Sequence, residues 1–173
     1  VARRTWHYFE SFVTSEHHNL PPDNFQESPA PVVAPRTSPT NIGVYLLSVV
    51  SARDFGWISL SDAITRIDAT MSTIEGMPRE RGHLFNWYDT TTLKPLYPLY
   101  ISAVDSGNLA GHLVAVAAAC AEWAEAPSVN LQGDFEGIID TVTILGESLE
   151  ELPDDRRQLR PLADQRLLRL LVQ

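Results

Sequence analysis

The feature that most constrains the fold of this chain is an alternation of helical segments with two kinds of connection. Some connections are short turns, and others are long and rich in proline, polar and aromatic residues. The clearest helical segment covers residues 60–76, with Ser59 as its cap and Gly76 as its stop. Its apolar residues recur at the 3.6-residue period of a helix, namely Leu60, Ile64, Ile67, Met71 and Ile74.

Further helices are predicted on the same grounds. Trp6, Phe9 and Val13 share one face of residues 4–14, and a second helix begins at Pro39, capped by Ser38 or Thr37, and ends near Gly56. Residues 106–123 are small and apolar nearly all round, which is typical of a helix buried on most sides. Another helix is marked by Phe135, Ile138, Val142, Leu145 and Leu149, and after the turn "LPDD" a last one runs from about residue 159 to the end. The predicted fold class is all-α.

The long connections cover residues 15–38 and 77–104. The first contains five of the twelve prolines and is predicted to lack regular secondary structure. The second is predicted to be a loop with a short hairpin around "TTTLKP". Short and long connections in alternation favour a barrel or toroid of helical hairpins with the long loops gathered at one end.

Composition excludes several classes of function. The chain has 173 residues, 44% hydrophobic and 20% charged, which is ordinary for a globular domain. Its net charge of −9 and the lack of a basic face argue against nucleic-acid binding. We expect no signal peptide and no membrane span in this segment, and we interpret the chain as a piece of a longer protein.

Sequence motifs add little chemistry. There is no nucleophile elbow, P-loop, zinc-ligand spacing or dinucleotide fingerprint, and "DFG" at 54–56 lacks the other kinase motifs. Cys120 lies in an apolar helical context and is interpreted as a packed thiol. No cofactor and no metal are therefore expected.

Three segments hold the unusual side chains: "PPDNFQE" leading into "RTSPTN", then "GHLFNWYDT", then "SAVDSGNLAG". Two of them place polar groups at a helix N-terminus, where free N–H groups favour oxygen-rich ligands. Aromatic faces stack on sugar rings, and planar polar groups bind pairs of hydroxyls. This combination favours a carbohydrate ligand.

Structural explanations stay open for the same residues. Ser38 with Pro39, and Asp105 or Ser106, could act only as helix caps. Trp87 and Tyr88 could close the core beneath a loop instead of stacking on a sugar.

The histidines divide by their surroundings. The adjacent His17 and His18 are predicted to be solvated, and His7 and His112 to pack within helices. Only the aromatic surroundings of His83 favour a place in the site.

A glycosidase needs a pair of carboxylates. The loop candidates are Asp23, Glu27, Asp89 and Asp105, and their spacing does not select a pair.

Four stretches, in the same order, resemble one continuous part of the cyclic β-1,2-glucan synthases, which are large bacterial membrane proteins. They are "RRTWHYFESFVT", "LPPDNFQESPAPVVAPRTSPTNIGVYLLSVVSARDFGW", "RGHLFNWYDTTTLKPLYPLYISAVDSGNLAGHL" and "LPDDRRQLRPL". The resemblance implies that residues 1–173 are the N-terminal part of the middle, glycoside-hydrolase-like domain, which is an (α/α)6 barrel. About half of that toroid would be present.

The resemblance also implies a function. The middle domain would cyclise linear β-1,2-glucan by retaining transglycosylation, on the cytoplasmic side of the inner membrane. The catalytic carboxylates would lie downstream, so this piece alone would be inactive. Its partners would be the glucan and the rest of the synthase chain.

The residues that the resemblance places near glucan subsites match the segments singled out above. They are Asn24, Gln26, Glu27, Arg36, Thr37, Ser38, Thr40, Asn41, Asn86, Trp87, Tyr88, Asp89, Asp105, Ser106 and Asn108, to which its aromatic surroundings add His83. The sequence departs from the family pattern at Pro35, where a His is expected, and at His17 and His18, where Asp-Asn is expected. A second hypothesis, from a different class, is a non-catalytic helical module whose loops dock neighbouring domains of a large membrane-bound synthase.

Overall fold

The computed structural model describes residues 1–125 and 131–150. This part of the chain is mostly helical, which confirms the predicted class at that level. The helices are α1 (Ala2–Phe12), α2 (Pro39–Asp54), α3 (Leu60–Gly76), α4 (Ala103–Glu125) and α5 (Leu131–Glu150), with a short 3₁₀ helix at Ser15–His17. The "LPDD" turn and the predicted last helix lie outside the described residues.

The helix starts follow from local capping. The hydroxyl of Ser38 accepts a hydrogen bond from the N–H of Asn41 at 3.2 Å, and Ser59 caps α3 in the same way, so both predicted caps are confirmed. The predicted start of α4 was too late. Ser102 caps that helix by accepting from the N–H of Asp105 at 3.1 Å, so Asp105 lies within the first turn.

The two predicted glycine stops behave differently. Gly56, just after α2, has φ 71°, a left-handed conformation that glycine adopts without steric cost. Gly76 is the last residue of α3 and does not have a positive φ. There the extended Met77 (φ −70°, ψ 139°) ends the helix.

Both long loops contain short two-stranded ladders. All three are antiparallel: β1 (Phe25–Gln26) with β2 (Val32–Val33), β3 (Arg36–Thr37) with β6 (Tyr88–Asp89), and β4 (Arg79–Glu80) with β5 (His83–Leu84). The prediction that residues 15–38 lack regular structure was therefore wrong in detail. Strands β1 and β2 pair with each other within this segment, and β3 pairs with β6 in the second loop. The hairpin around "TTTLKP" is confirmed: the N–H of Asp89 donates to the carbonyl of Lys94 at 3.0 Å.

Helices α2 and α4 pack side by side and run in the same direction. Asn108 donates to the hydroxyl of Thr40 at 3.1 Å, and one turn further along, His112 packs against Gly43. Residue numbers thus rise together along the two helices, which places both N-termini at one end. The long loops precede these two helices, so both loops meet at that end.

The core lies on two sides of α2. On one side Ile42 and Leu46 pack with Leu109, Val116 and other buried residues. On the other side α2 packs against α1 and α3 through a cluster that includes Trp6, Phe9, Val13, Tyr45, Val49 and Ala63. Because both clusters contain residues of α2, α2 is the central helix of the described fold. Burial of apolar surface stabilises the fold by about 25 cal/mol per Å².

Helix α4 is less covered than its composition predicted. Within the described residues only Leu109 and Val116 of this helix are buried, whereas Val104 and Val114 are each 72% exposed. The prediction that α4 is buried on most sides is wrong for this part of the chain, because the described helices cover only its α2-facing side. Among the described residues α4 alone has the length and hydropathy of a membrane span, with a mean hydropathy of 1.2.

Helix α5 lies against α1 and the turn between α2 and α3. Arg4 pairs with Glu147 at 3.1 Å, and the indole N–H of Trp57 donates to Asp140 at 3.0 Å. Gly137 packs directly on the backbone of the turn, where a β-carbon would overlap the carbonyl group of Gly56. This contact therefore requires glycine at position 137.

Candidate functional site at the helix N-termini

The two long loops are joined at the end of the molecule where α2 and α4 begin. In the β3–β6 ladder Arg36 is opposite Asp89, and Thr37 is opposite Tyr88. The ladder brings predicted site residues that are about fifty positions apart in sequence into one layer above the helix ends. The residues of that layer form two hydrogen-bonded groups that meet at Trp87.

The first group is built on the face of Trp87. The guanidinium of Arg36 lies 4.8 Å from the centre of the indole ring, in a cation–π arrangement. Arg36 also donates to one carboxylate oxygen of Asp23 through Nε at 3.1 Å and Nη2 at 2.8 Å. Asn24 donates to the same oxygen, and Asn41 donates to the other at 3.4 Å. Asp23 is thus engaged through both oxygens and holds Arg36 against Trp87.

The second group is built on the amide of Asn86, which is 6% exposed. With the amide oriented to satisfy its neighbours, its oxygen accepts from the indole N–H of Trp87 at 2.8 Å and from the hydroxyl of Tyr100 at 2.7 Å. Its nitrogen donates to the carboxylate of Asp105 at 2.9 Å. A buried amide satisfied in this way is rigid.

Tyr88 is a core residue. It is fully buried, its hydroxyl donates to the carbonyl of Pro78 at 2.6 Å, and it accepts from the N–H of Phe85 at 2.8 Å. Burial raises the pKa of Tyr88 above its ordinary value. The core interpretation of Tyr88 therefore holds, and its ring is not accessible to a sugar. Thr37 is also fully buried beneath the loops.

Asp89 organises a turn. One of its carboxylate oxygens accepts from the hydroxyls and the N–H groups of both Thr91 and Thr92, at 2.6 to 3.0 Å. These bonds, led by the Thr91 hydroxyl, lower the pKa of Asp89 below 3.8. Asp89 thus fixes the "TTTLKP" hairpin that follows the strand.

The remaining predicted residues are dispersed. Glu27 and His83 are exposed, and Asn108 bridges α4 to α2. His83 and Ser106 line a separate groove of about 390 Å³ between α3, the β4–β5 hairpin and α4. The predicted carboxylates are thus separated by role: Asp23 pairs with Arg36, Asp89 caps a turn, and Asp105 holds Asn86.

Comparison with known sequences identifies the family. The profile of a protein family described as "protein of unknown function (DUF3131)" matches residues 1–126. The chain belongs to the DUF3131 family. It is also 65% identical, over 162 residues, to the cyclic beta-(1,2)-glucan synthase NdvB of Rhizobium meliloti. That match covers 94% of this chain and 6% of the relative, and it confirms the resemblance stated from the sequence.

Solved structures support the helical fold of this DUF3131 chain. A glucoamylase-like protein from Bacteroides fragilis superposes with a TM-score of 0.60 at 19% identity, over 79% of this chain and 33% of that one. A second, from Bacteroides caccae, gives 0.54 at 20% identity, over 66% and 29%. At these identities the likeness concerns the fold alone.

Sequence reasoning missed several contacts in and around the candidate site. Tyr100 was not singled out, although its hydroxyl completes the Asn86 group. His17 and His18, predicted to be solvated, are half-buried: Nδ1 of His17 lies 2.8 Å from the hydroxyl of Thr90, and Nδ1 of His18 donates to its carbonyl at 2.9 Å. Thr90 lies far along the chain, so no local pattern indicated these bonds.

The other two helical histidines differ from each other. His112 packs between α2 and α4 as predicted. The side chain of His7 is 74% exposed beside Glu10, so the packing interpretation of His7 is wrong. Within the described residues, no three His, Cys, Asp or Glu side chains cluster as metal ligands would.

Proposed function

We propose that this chain forms part of a carbohydrate-active (α/α)6-barrel domain and that its long loops shape part of a β-1,2-glucan cleft. Three observations support the proposal: the 65% identity to a cyclic β-1,2-glucan synthase, the glucoamylase-like fold, and the convergence of both long loops at the N-termini of α2 and α4. In this proposal residues 1–173 are the beginning of the barrel.

The observation that carries the proposal is the setting of Trp87. Its side chain is half-buried, its nitrogen is fixed by Asn86, and one ring face is held by Arg36. An indole ring fixed in this way loses little further conformational entropy when a sugar contacts it. The guanidinium of Arg36 has five N–H donors and uses two of them on Asp23, so it can also donate to sugar hydroxyls.

The proposed reaction is the ring closure of linear β-1,2-glucan by retaining transglycosylation. One carboxylate forms a glycosyl-enzyme, and a second protonates the leaving oxygen and then activates an acceptor hydroxyl of the same chain. Neither role falls to Asp23 or Asp89, since their hydrogen bonds are committed to Arg36 and to the hairpin. The proposal places the catalytic pair outside this chain, which by itself is inactive, and places the parent on the cytoplasmic side of the bacterial inner membrane.

One observation is compatible with the docking alternative as well as with the barrel. The exposed apolar side of α4, with Val104 and Val114, could be covered by a neighbouring domain of a large synthase. In the barrel proposal the same side is covered by later helices of the barrel itself. Both alternatives bury the α4 surface, and they differ in whether the loops bind glucan.

The test is glucan binding and cyclisation by the full-length protein with single substitutions. Trp87→Ala and Arg36→Ala should each weaken binding of linear β-1,2-glucan by about tenfold, which corresponds to about 1.4 kcal/mol, and should lower the yield of cyclic product. Trp57→Ala is a matched control. Trp57 also lies beneath an arginine, Arg3 at 5.9 Å, and its indole N–H also donates to a side chain, that of Asp140, but it lies at the opposite end of α2. Unchanged affinity and yield for the Trp87 and Arg36 variants would remove them from the site, and a complete protein that binds no glucan would favour docking.

A further inference from the structure

A second aromatic ring beside Trp87 is held as firmly as the first. The hydroxyl of Tyr100 donates to the oxygen of Asn86 at 2.7 Å, the same atom that accepts from Trp87. In addition, the backbone N–H of Asn86 donates to the carbonyl of Tyr100 at 2.9 Å. Tyr100 is therefore attached to Asn86 through both its backbone and its side chain.

This ring is fixed and yet open to solvent. Tyr100 is 46% exposed, whereas its anchor Asn86 is 6% exposed. Among the described residues, Tyr100 takes part in none of the ring–ring contacts. Nearly half of the residue is thus open to a ligand.

Trp87 and Tyr100 are held near each other because both donate to the amide oxygen of Asn86. A carbonyl oxygen has two acceptor sites, and here Trp87 and Tyr100 each occupy one. One face of Trp87 is covered by Arg36, so Tyr100 adds a ring that the guanidinium does not cover. Asp105, bonded to the nitrogen of the same amide, brings a carboxylate next to the pair.

We propose that Tyr100 is a second sugar-contacting aromatic residue, and that Asn86 positions it with Trp87 as a paired platform for neighbouring glucose units of one β-linked glucan chain. The inference rests on the proposed function and adds to it a specific subsite. Aromatic faces bind the C–H surfaces of pyranose rings, and the carboxylate of Asp105 accepts hydrogen bonds from sugar hydroxyls. Asn86 acts through the two rings and is a positioning residue.

The test measures binding of linear β-1,2-glucan oligosaccharides to the full-length protein. Tyr100→Ala should weaken binding by about tenfold, in the range that stacking on one aromatic ring contributes. Tyr100→Phe keeps the ring and the backbone bond to Asn86 but loses the hydroxyl bond, so its affinity should lie between those of Tyr100→Ala and wild type. Asn86→Leu, which frees both rings, should weaken binding at least as much as Tyr100→Ala. Tyr97→Ala, on the same loop and 87% exposed, is the control and should bind as wild type does.

The outcomes separate this inference from the proposed function. Wild-type affinity for Tyr100→Ala, alongside a loss for Trp87→Ala, would overturn the paired platform and leave the proposed function intact. Wild-type affinity for both variants would overturn both. An equal loss for Tyr97→Ala would also overturn the platform, because any exposed aromatic ring would then have the same effect. Recovery of affinity from Tyr100→Ala to Tyr100→Phe distinguishes stacking from a folding defect, since the phenylalanine variant loses the same hydrogen bond.

Discussion

The close contact between α2 and α4 predicts that Gly43→Ala destabilises the chain. A β-carbon at position 43 would overlap the imidazole of His112, with Cγ at 3.0 Å and Cβ at 3.1 Å as well as the nearer Nδ1. Rotating the ring does not move the Cβ atom of His112, so the two helices must separate. Overfilling a packed interface in this way costs about 1–3 kcal/mol, against a gain of about 1 kcal/mol in helix propensity.

The expected net effect is a loss of about 1 kcal/mol in the free energy of unfolding, equivalent to about 2–4 °C in the melting temperature of a chain of this size. In a His112→Ala background the overlap disappears, and Gly43→Ala should become stabilising by up to about 1 kcal/mol. The coupling between the two positions is therefore about 2 kcal/mol.

The assay is thermal unfolding followed by circular dichroism at one fixed protein concentration, because association shifts melting temperatures. Gly111→Ala is the matched control. It lies in α4 next to His112, no atom of the described residues lies within 4 Å of the added β-carbon, and it should be mildly stabilising. If Gly43→Ala stabilised the wild-type chain as much as the His112→Ala variant, the parallel packing of α2 on α4 would be refuted.

Three further predictions concern the loops and caps, each measured by equilibrium or thermal unfolding. Ser38→Ala removes the cap of α2 and should cost about 1 kcal/mol, while Ser38→Thr should restore most of it; no loss would contradict the capping geometry. Tyr88→Phe removes a buried hydroxyl that both donates and accepts, and should cost about 1–3 kcal/mol, whereas the exposed Tyr97→Phe should cost nothing measurable. The pKa of Asp89 is lowered in the folded chain, so the ionised carboxylate adds to the free energy of unfolding above pH 3.8, and this contribution is lost as pH falls through the lower folded pKa. Asp89→Asn should therefore make the free energy of unfolding less dependent on pH in this acid range. An unchanged pH dependence would contradict the turn geometry.

Features of the fold that depend on local sequence were predictable. The 3.6-residue period identified α3, and the order Ser38 then Pro39 identified the start of α2, because capping and periodicity act over a few residues. The start of α4 was predicted too late, although it too depends on a local cap: Ser102 lies one turn before the predicted start.

Features that depend on distant partners were not predictable. The β3–β6 ladder, the bonds of His17 and His18 to Thr90, and the place of Tyr100 beside Asn86 join positions far apart in sequence. Composition also misjudged α4, because an apolar surface is buried only where another element covers it. For Tyr88 the sequence left core packing and sugar stacking open, and its complete burial decides between them.

The most direct test of the proposed glucan site follows the individual tryptophans while glucan is added. The chain has four tryptophans. In full-length protein labelled with 5-fluorotryptophan, the ¹⁹F resonances of Trp87 and Trp57 are identified by their loss in Trp87→Phe and Trp57→Phe variants. We predict that linear β-1,2-glucan shifts the resonance of Trp87 in a saturable way and leaves that of Trp57 unchanged. An unshifted Trp87 resonance at saturating glucan, in a protein that still cyclises it, would contradict the proposed site.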